Sequence, residues 1–136
     1  MTDHIHRNLS PEALQSVSEL ALAHVGDAVF ELLVRQDLCC RGSALVKDLH
    51  RAAVARVTAP AQAAFVEVLQ PLLTPEELTV YKRGRNTHTH QAPKSATPGQ
   101  YARATGLETL FGWLWLTGRC DRINELFEAG SAAWRD

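Results

Sequence analysis

Along "LALAHVGDAVFELLVR", residues 20 to 35, the apolar residues Leu22, Val25, Val29, Leu32 and Leu33 recur every three or four positions, the spacing of a helix face. Ser18 stands where a side chain caps that helix, and Arg41-Gly42 ends it. The period returns over residues 43 to 57, where Leu45, Leu49, Ala52, Ala53 and Val57 share a face, and in the tail, where Ile123, Leu126 and Phe127 face inward. Ser10-Pro11-Glu12 opens a short helix, because a capping serine is followed by a proline whose missing N–H costs nothing at the first position. Thr58 and Pro60 mark a break before the apolar "AQAAFVEVLQPLL". Two boxes, Thr74-Pro75-Glu76-Glu77 and Thr97-Pro98-Gly99-Gln100, open helices through "ELTVYKRGR" and "YARATGLETLFGWLWLT", and Gly118 stops the second. No segment alternates with period two, and no repeat is present, so the expected class is an all-α helical bundle.

At 136 residues and 46% hydrophobic the chain buries one core and is too short to suggest two. The expected organisation is an arm over residues 1–9, with His4 and His6 solvated rather than metal-binding, and one domain over residues 10–136. A formal charge of -1 gives no global sign of a polyanion partner. Local charge changes the picture. Between Glu77 and Glu108 there is no acid, while Lys82, Arg83, Arg85, Lys94 and Arg103 supply five of the 14 lysines and arginines, leaving nine against 15 acids elsewhere. One basic stripe on an otherwise acidic chain is a footprint for a polyanion, against the plainer alternative of a solvated helix end that suits the dipole. Residues 86–97, mostly polar, are expected as an exposed loop. Cys39, Cys40 and Cys120 form neither a disulfide framework nor a metal-ligand spacing and read as small apolar fillers in a reduced, cytoplasmic protein. No stretch approaches the ~18 apolar residues of a membrane span, and the N-terminus lacks a signal-peptide core, so no membrane contact is expected.

Two glycines and two acids sit where an apolar helix would not choose them. Glycine inside a helix costs about 1 kcal/mol against alanine, and the simplest reason for Gly26 and Gly112 is close approach of a second helix. Gly112 follows Glu108 by four residues, so that helix would pass beside the carboxylate. Asp27 and Glu108 lie in the two most apolar helices, where an unpaired carboxylate loses several kcal/mol of hydration. Two compensations stand open: ion pairs with Arg35, Arg51 or Arg103, or convergence of Asp27 and Glu108, with Glu31 one turn beyond, on a hydrated Mg²⁺. Such an ion takes oxygen ligands, keeps waters, and activates one of them against a phosphodiester. His24 reads as a partly buried, hydrogen-bonded histidine rather than a base, and His50 as surface. Trp113 and Trp115 lie on nearly opposite faces, one for the core and one for the surface or a partner.

"HVGDAVFELLVR" resembles the signature helix of ribonuclease III catalytic domains, which carries a Leu-Gly-Asp-Ala/Ser-Val core, and "GLETLFGWLWL" resembles the second acidic helix of that family. "VYKRGRN", "PKSAT" and "YARATG" are similar to the compact branch called Mini-ribonuclease III, and the likeness runs from about residue 18 to residue 128. The resemblance implies a ribonuclease III-like fold without room for a double-stranded RNA-binding domain. It also implies a Mg²⁺-dependent endoribonuclease cutting double-stranded RNA to 5′-phosphate and 3′-hydroxyl ends. Asp27 and Glu108 match the catalytic, metal-holding carboxylates, with Glu31 and Thr105 as supports behind them. Leu20, Ala23 and Thr105 stand where the larger family has acids. A homodimer paired through the signature helices is implied, with Phe30 and Leu33 at the contact, and the branch is associated with maturing precursor large-subunit (23S) ribosomal RNA. Lys82, Arg83, Arg85, Asn86, His88 and Lys94, with His90, are then the residues that grip phosphates and 2′-hydroxyls of a duplex read by shape. Two other classes remain: a catalytically degenerate RNA-binding or ribosome-associated protein of this fold, and an all-α nucleotide pyrophosphohydrolase, for whose clustered acids only Asp27 and Glu31 have the spacing.

Overall fold

The computed structural model of the chain describes residues 1–42, 45–87 and 95–134. All of its α-helices but Val46–Val57 and Cys120–Gly130 begin where a side chain takes over an N–H that the helix itself leaves unpaired. Ser10 accepts from the Ala13 N–H and starts α1 (Pro11–Gln15), and Ser18 accepts from Ala21 and starts α2 (Glu19–Cys40). Helix α3 (Val46–Val57) gives way at Thr58, which accepts from Ala61 to start α4 (Ala59–Leu69), continued by a 3-10 turn over Gln70–Leu72. Reciprocal capping boxes on Thr74 and Thr97 open α5 (Pro75–Arg85) and α6 (Pro98–Leu116). Gly118, at φ +75°, turns the chain into α7 (Cys120–Gly130) and a final 3-10 turn, Ser131–Trp134. Among the described residues there is no strand, so the all-α expectation holds.

Helix α6 is apolar right round its circumference, burying Ala104, Leu107, Leu110, Phe111 and Leu114, and such a helix must be wrapped by others. Helix α2 lies along one side of it, α5 along another and α4 along a third, with α7 across the remaining end. The aromatic centre of the core is Phe30 from α2, Phe65 from α4 and Phe111 from α6, with Phe30 edge-on to both others at 5.1 and 5.7 Å between centroids. Trp134 closes this cluster from the C-terminal turn, 5.0 Å from Phe65, and Arg56 covers its outer face. Glu77, almost fully buried, receives a two-pronged bond from Arg122 at 2.8 and 2.9 Å, which ties α5 to α7, and the same guanidinium donates to the Leu72 carbonyl. The arm is anchored at its end, where the Leu9 N–H donates to the Leu116 carbonyl.

Several placements differ from the sequence expectation, for one shared reason. Helix α2 carries two apolar stripes, and only one packs inward: Leu22, Gly26, Val29, Phe30 and Val34. Leu32 is 58% exposed, and Phe30, expected at a subunit contact, is fully buried. Leu33 is half-buried against the core. Leu45, at the N-cap of α3, is exposed, as are Cys39, Cys40 and Cys120, which therefore fill nothing. No single described helix is long and apolar enough to cross a membrane.

Candidate active site

The site is made where α2 and α6 approach each other backbone to backbone. A methyl group built on Gly26 would overlap the Glu108 carbonyl oxygen, 2.6 Å from its carbon and 2.7 Å from the Gly112 nitrogen. One built on Gly112 would overlap the Leu22 carbonyl, 3.0 Å from the Gly26 nitrogen. Both glycines are therefore required by backbone-to-backbone contact of α2 and α6, the close approach anticipated from their positions. Because Asp27 follows Gly26 and Glu108 sits one turn before Gly112, the crossing brings the two carboxylates together from different helices.

The pair is asymmetric. Asp27 is exposed and Glu108 half-buried, so neither acid is fully buried as the sequence led us to expect. Burial, then the Asp27 charge and hydrogen bond beside it, push the Glu108 carboxyl up to about 8, and an amide from Gln62 acts in the opposite sense. Among the described residues no arginine or lysine pairs with either acid. Arg35 is engaged with Glu31 at 2.9 Å, which gives Glu31 a partner on its own helix. The Thr105 hydroxyl donates to the Tyr101 carbonyl at 3.0 Å, and the Thr105 carbonyl accepts from Thr109 at 2.8 Å. His24 is exposed on a shallow groove with Val25, Ala28, Leu32 and Trp115, not half-buried and hydrogen-bonded as its sequence position suggested. Trp113 is buried and Trp115 half-buried on that groove, as their opposite faces imply.

Gln62 is the residue that sequence reasoning missed. Its amide nitrogen donates to the Val57 carbonyl at 3.0 Å and to the Glu108 Oε2 at 3.4 Å, while its own Oε1 is buried without a partner. The signal was present: a long polar side chain in the first turn of the apolar "AQAAFVEVL". Two converging carboxylates without a counter-cation, one of them held partly neutral, fit a hydrated Mg²⁺ by the chemistry of their donors. Among the described residues no three His, Cys, Asp or Glu cluster as metal ligands, so the fit is to an ion that keeps most of its waters.

Lys82, Arg83 and Arg85 lie in the last turn of α5, with Asn86 as its C-cap. Lys82 and Arg83 are exposed, and Arg85 donates to Asn86 and lies over the Tyr81 ring. Helix α5 reaches α6 through Gly84, where a methyl would strike Thr109, the residue after Glu108. The basic turn and the acid pair are thus mounted on neighbouring sides of one helix. His88, His90 and Lys94 lie outside the described residues.

Comparison with known proteins gives one consistent result. A family model for the ribonuclease III domain matches residues 20–119. The chain is similar to a Mini-ribonuclease 3 of Symbiobacterium thermophilum, 48% identical over 112 residues that span 82% of this chain and 86% of that one. A Mini-ribonuclease 3 of Synechocystis is 44% identical over 127 residues, 90% of this chain and 86% of its own. Among solved structures, the X-ray structure of a Fusobacterium nucleatum protein superposes with a TM-score of 0.77 at 28% identity, covering 85% of this chain and 92% of that one.

Proposed function

Since this chain belongs to the ribonuclease III family, in its compact Mini-ribonuclease III branch, and is an endoribonuclease that hydrolyses phosphodiester bonds, we propose that it cuts double-stranded RNA with Mg²⁺ held by Asp27 and Glu108. The observation that carries this reading is the meeting of those two carboxylates at the glycine crossing without a counter-cation. Bound there, the ion supplies a water of lowered pKa and steadies the leaving oxygen. The chain's own contribution is placement. Gly26 and Gly112 fix the distance between the two helices, and Glu108, half-buried, holds its carboxyl against Asp27. Lys82, Arg83 and Arg85 hold the phosphates of the duplex, with Asn86 adding a hydrogen bond. His88 and Lys94 are assigned to the same grip. Glu31, paired with Arg35, and Thr105, bonded to the α6 backbone, are assigned as supports behind the two carboxylates.

The substrate assigned is a folded precursor of large-subunit ribosomal RNA, cut in the cytoplasm by a homodimer. A second copy would cover the outward stripe of α2, where Val25, Ala28 and Leu32 line a groove with Trp115. A dimer brings two sites to opposite strands. In the test, the purified protein is incubated at low salt with a long RNA duplex, with and without Mg²⁺, beside Asp27→Asn. Cutting that needs Mg²⁺ and is absent from the variant is expected. Equal cutting by the variant would refute the assignment of Asp27, and duplex binding without cutting, on ribosomal precursor as well, would refute the assigned substrate.

A further inference from the structure

We propose that Gln62 is the positioning residue of the active site, holding the Glu108 carboxylate in its working orientation from the junction of α3 and α4. The inference rests on the reading that Asp27 and Glu108 hold a divalent cation.

The geometry starts from the backbone. Gln62 lies in the first turn of α4, where its N–H donates to the Thr58 carbonyl, and Thr58 in turn caps the helix. The residue is 2% exposed, so its side chain has no room for alternative rotamers. Both groups facing the amide nitrogen, the Val57 carbonyl and Glu108 Oε2, are acceptors. This fixes which end of the amide faces the acid: nitrogen towards Glu108, and Oε1 on the other side without a partner.

A role limited to capping the end of α3 does not account for this arrangement. Satisfying the Val57 carbonyl requires one N–H, and burying an unpartnered amide oxygen to provide it is unfavourable. The second N–H is what a smaller cap would lack, and it reaches the catalytic carboxylate. Glu108 has few other restraints. The carboxylate it faces, Asp27, repels it once both are ionised, and no cation among the described residues holds it. A glutamate with free terminal torsions spreads its oxygens over several positions, and a metal site built from only two carboxylates tolerates that poorly.

The measurement is Mn²⁺ binding by electron paramagnetic resonance on full-length protein at a temperature well below unfolding, with thermal melting and duplex cleavage recorded in parallel. Gln62→Met keeps the shape and removes the donor, whereas Gln62→Asn keeps an amide that no longer reaches. Thr58→Ala loosens the same helix start without touching Glu108. The expected result is Mn²⁺ binding weakened on the order of 10-fold in both Gln62 variants, with kcat reduced by about 10- to 100-fold and KM for RNA unchanged. Thr58→Ala should melt lower yet bind Mn²⁺ as the wild type does. Gln62 variants with wild-type Mn²⁺ affinity would overturn the proposal, as would Thr58→Ala losing affinity to the same extent. A wild type that binds Mn²⁺ through Asp27 and Glu108, loses it in the Gln62 variants and cuts no duplex would support Gln62 while refuting the assigned activity.

Discussion

Replacing Gly26 with alanine tests the crossing on which the site depends. The new methyl would overlap the Glu108 carbonyl oxygen and stand 2.6 Å from its carbon, where ordinary contact begins near 3.4 Å, so the helices must part by more than 1 Å. The atoms met are backbone, and no side chain can swing away to make room. A gap of that size forfeits about half of each dispersion contact across the interface. Leu22, Phe30 and Phe111 are buried there. With roughly 20 cross-helix atom contacts apiece at ~0.1–0.2 kcal/mol, the loss is about 3–6 kcal/mol. Alanine's better helix propensity returns about 1 kcal/mol, leaving a net destabilisation of roughly 2–5 kcal/mol. Urea unfolding followed by circular dichroism measures it. Gly99→Ala is the control, since a methyl there meets only the Thr97 hydroxyl at 3.9 Å, and it should be neutral or stabilising by up to about 1 kcal/mol. If Gly26→Ala stays within about 1 kcal/mol of the wild type while Gly99→Ala behaves as expected, the crossing is not as tight as described and the reasoning fails.

Glu108→Gln should abolish cleavage and change how the metal-free protein responds to pH. An acid raised to about 8 binds its proton more readily folded than unfolded, so wild-type stability falls as pH rises from near 4.5 towards 8. The variant's unfolding free energy, read by urea titration, should be flat over that window and exceed the wild type's at pH 8 by on the order of 3 kcal/mol; parallel curves would contradict the pairing. Arg122→Met should cost about 3 kcal/mol at neutral pH by stranding Glu77. Burial alone would raise that carboxyl, but bonds from Arg122 and the Thr74 N–H hold it below its usual range. Its stabilisation is therefore present above about 4.5 and lost as pH falls through the lowered value, and acid titrations of both proteins should converge there. Arg83→Ala or Arg85→Ala should reduce the slope of log binding constant against log salt by about 1 in a Ca²⁺ binding assay, and an unchanged slope would remove the residue from the RNA contact.

Local chemistry was legible along the chain. Ser10, Ser18, Thr74 and Thr97 each cap the helix that their sequence context assigned them, because a cap is decided within four residues, and Thr58, read only as a break, caps α4. Gly26 and Gly112 announced a close approach, and the chemistry of Asp27 and Glu108 announced a candidate site. Which stripe of α2 faces inward was not legible, since Leu32 and Phe30 are equally apolar and periodicity does not say where α6 lies. The cysteines illustrate the same limit: residue type suggested burial, and position left them in solvent.

Sequence by itself determined the helical class, the helix starts, and the two carboxylates flanked by glycines, all of which follow from contacts within a few residues. Tertiary structure decided that Arg35 belongs to Glu31 rather than Asp27, that Glu108 is half-buried while Asp27 is exposed, and that Gln62, 46 residues away from Glu108, supplies its hydrogen bond. Those outcomes depend on how α2, α4 and α6 cross, and a crossing sums many weak packing contacts that no local pattern encodes.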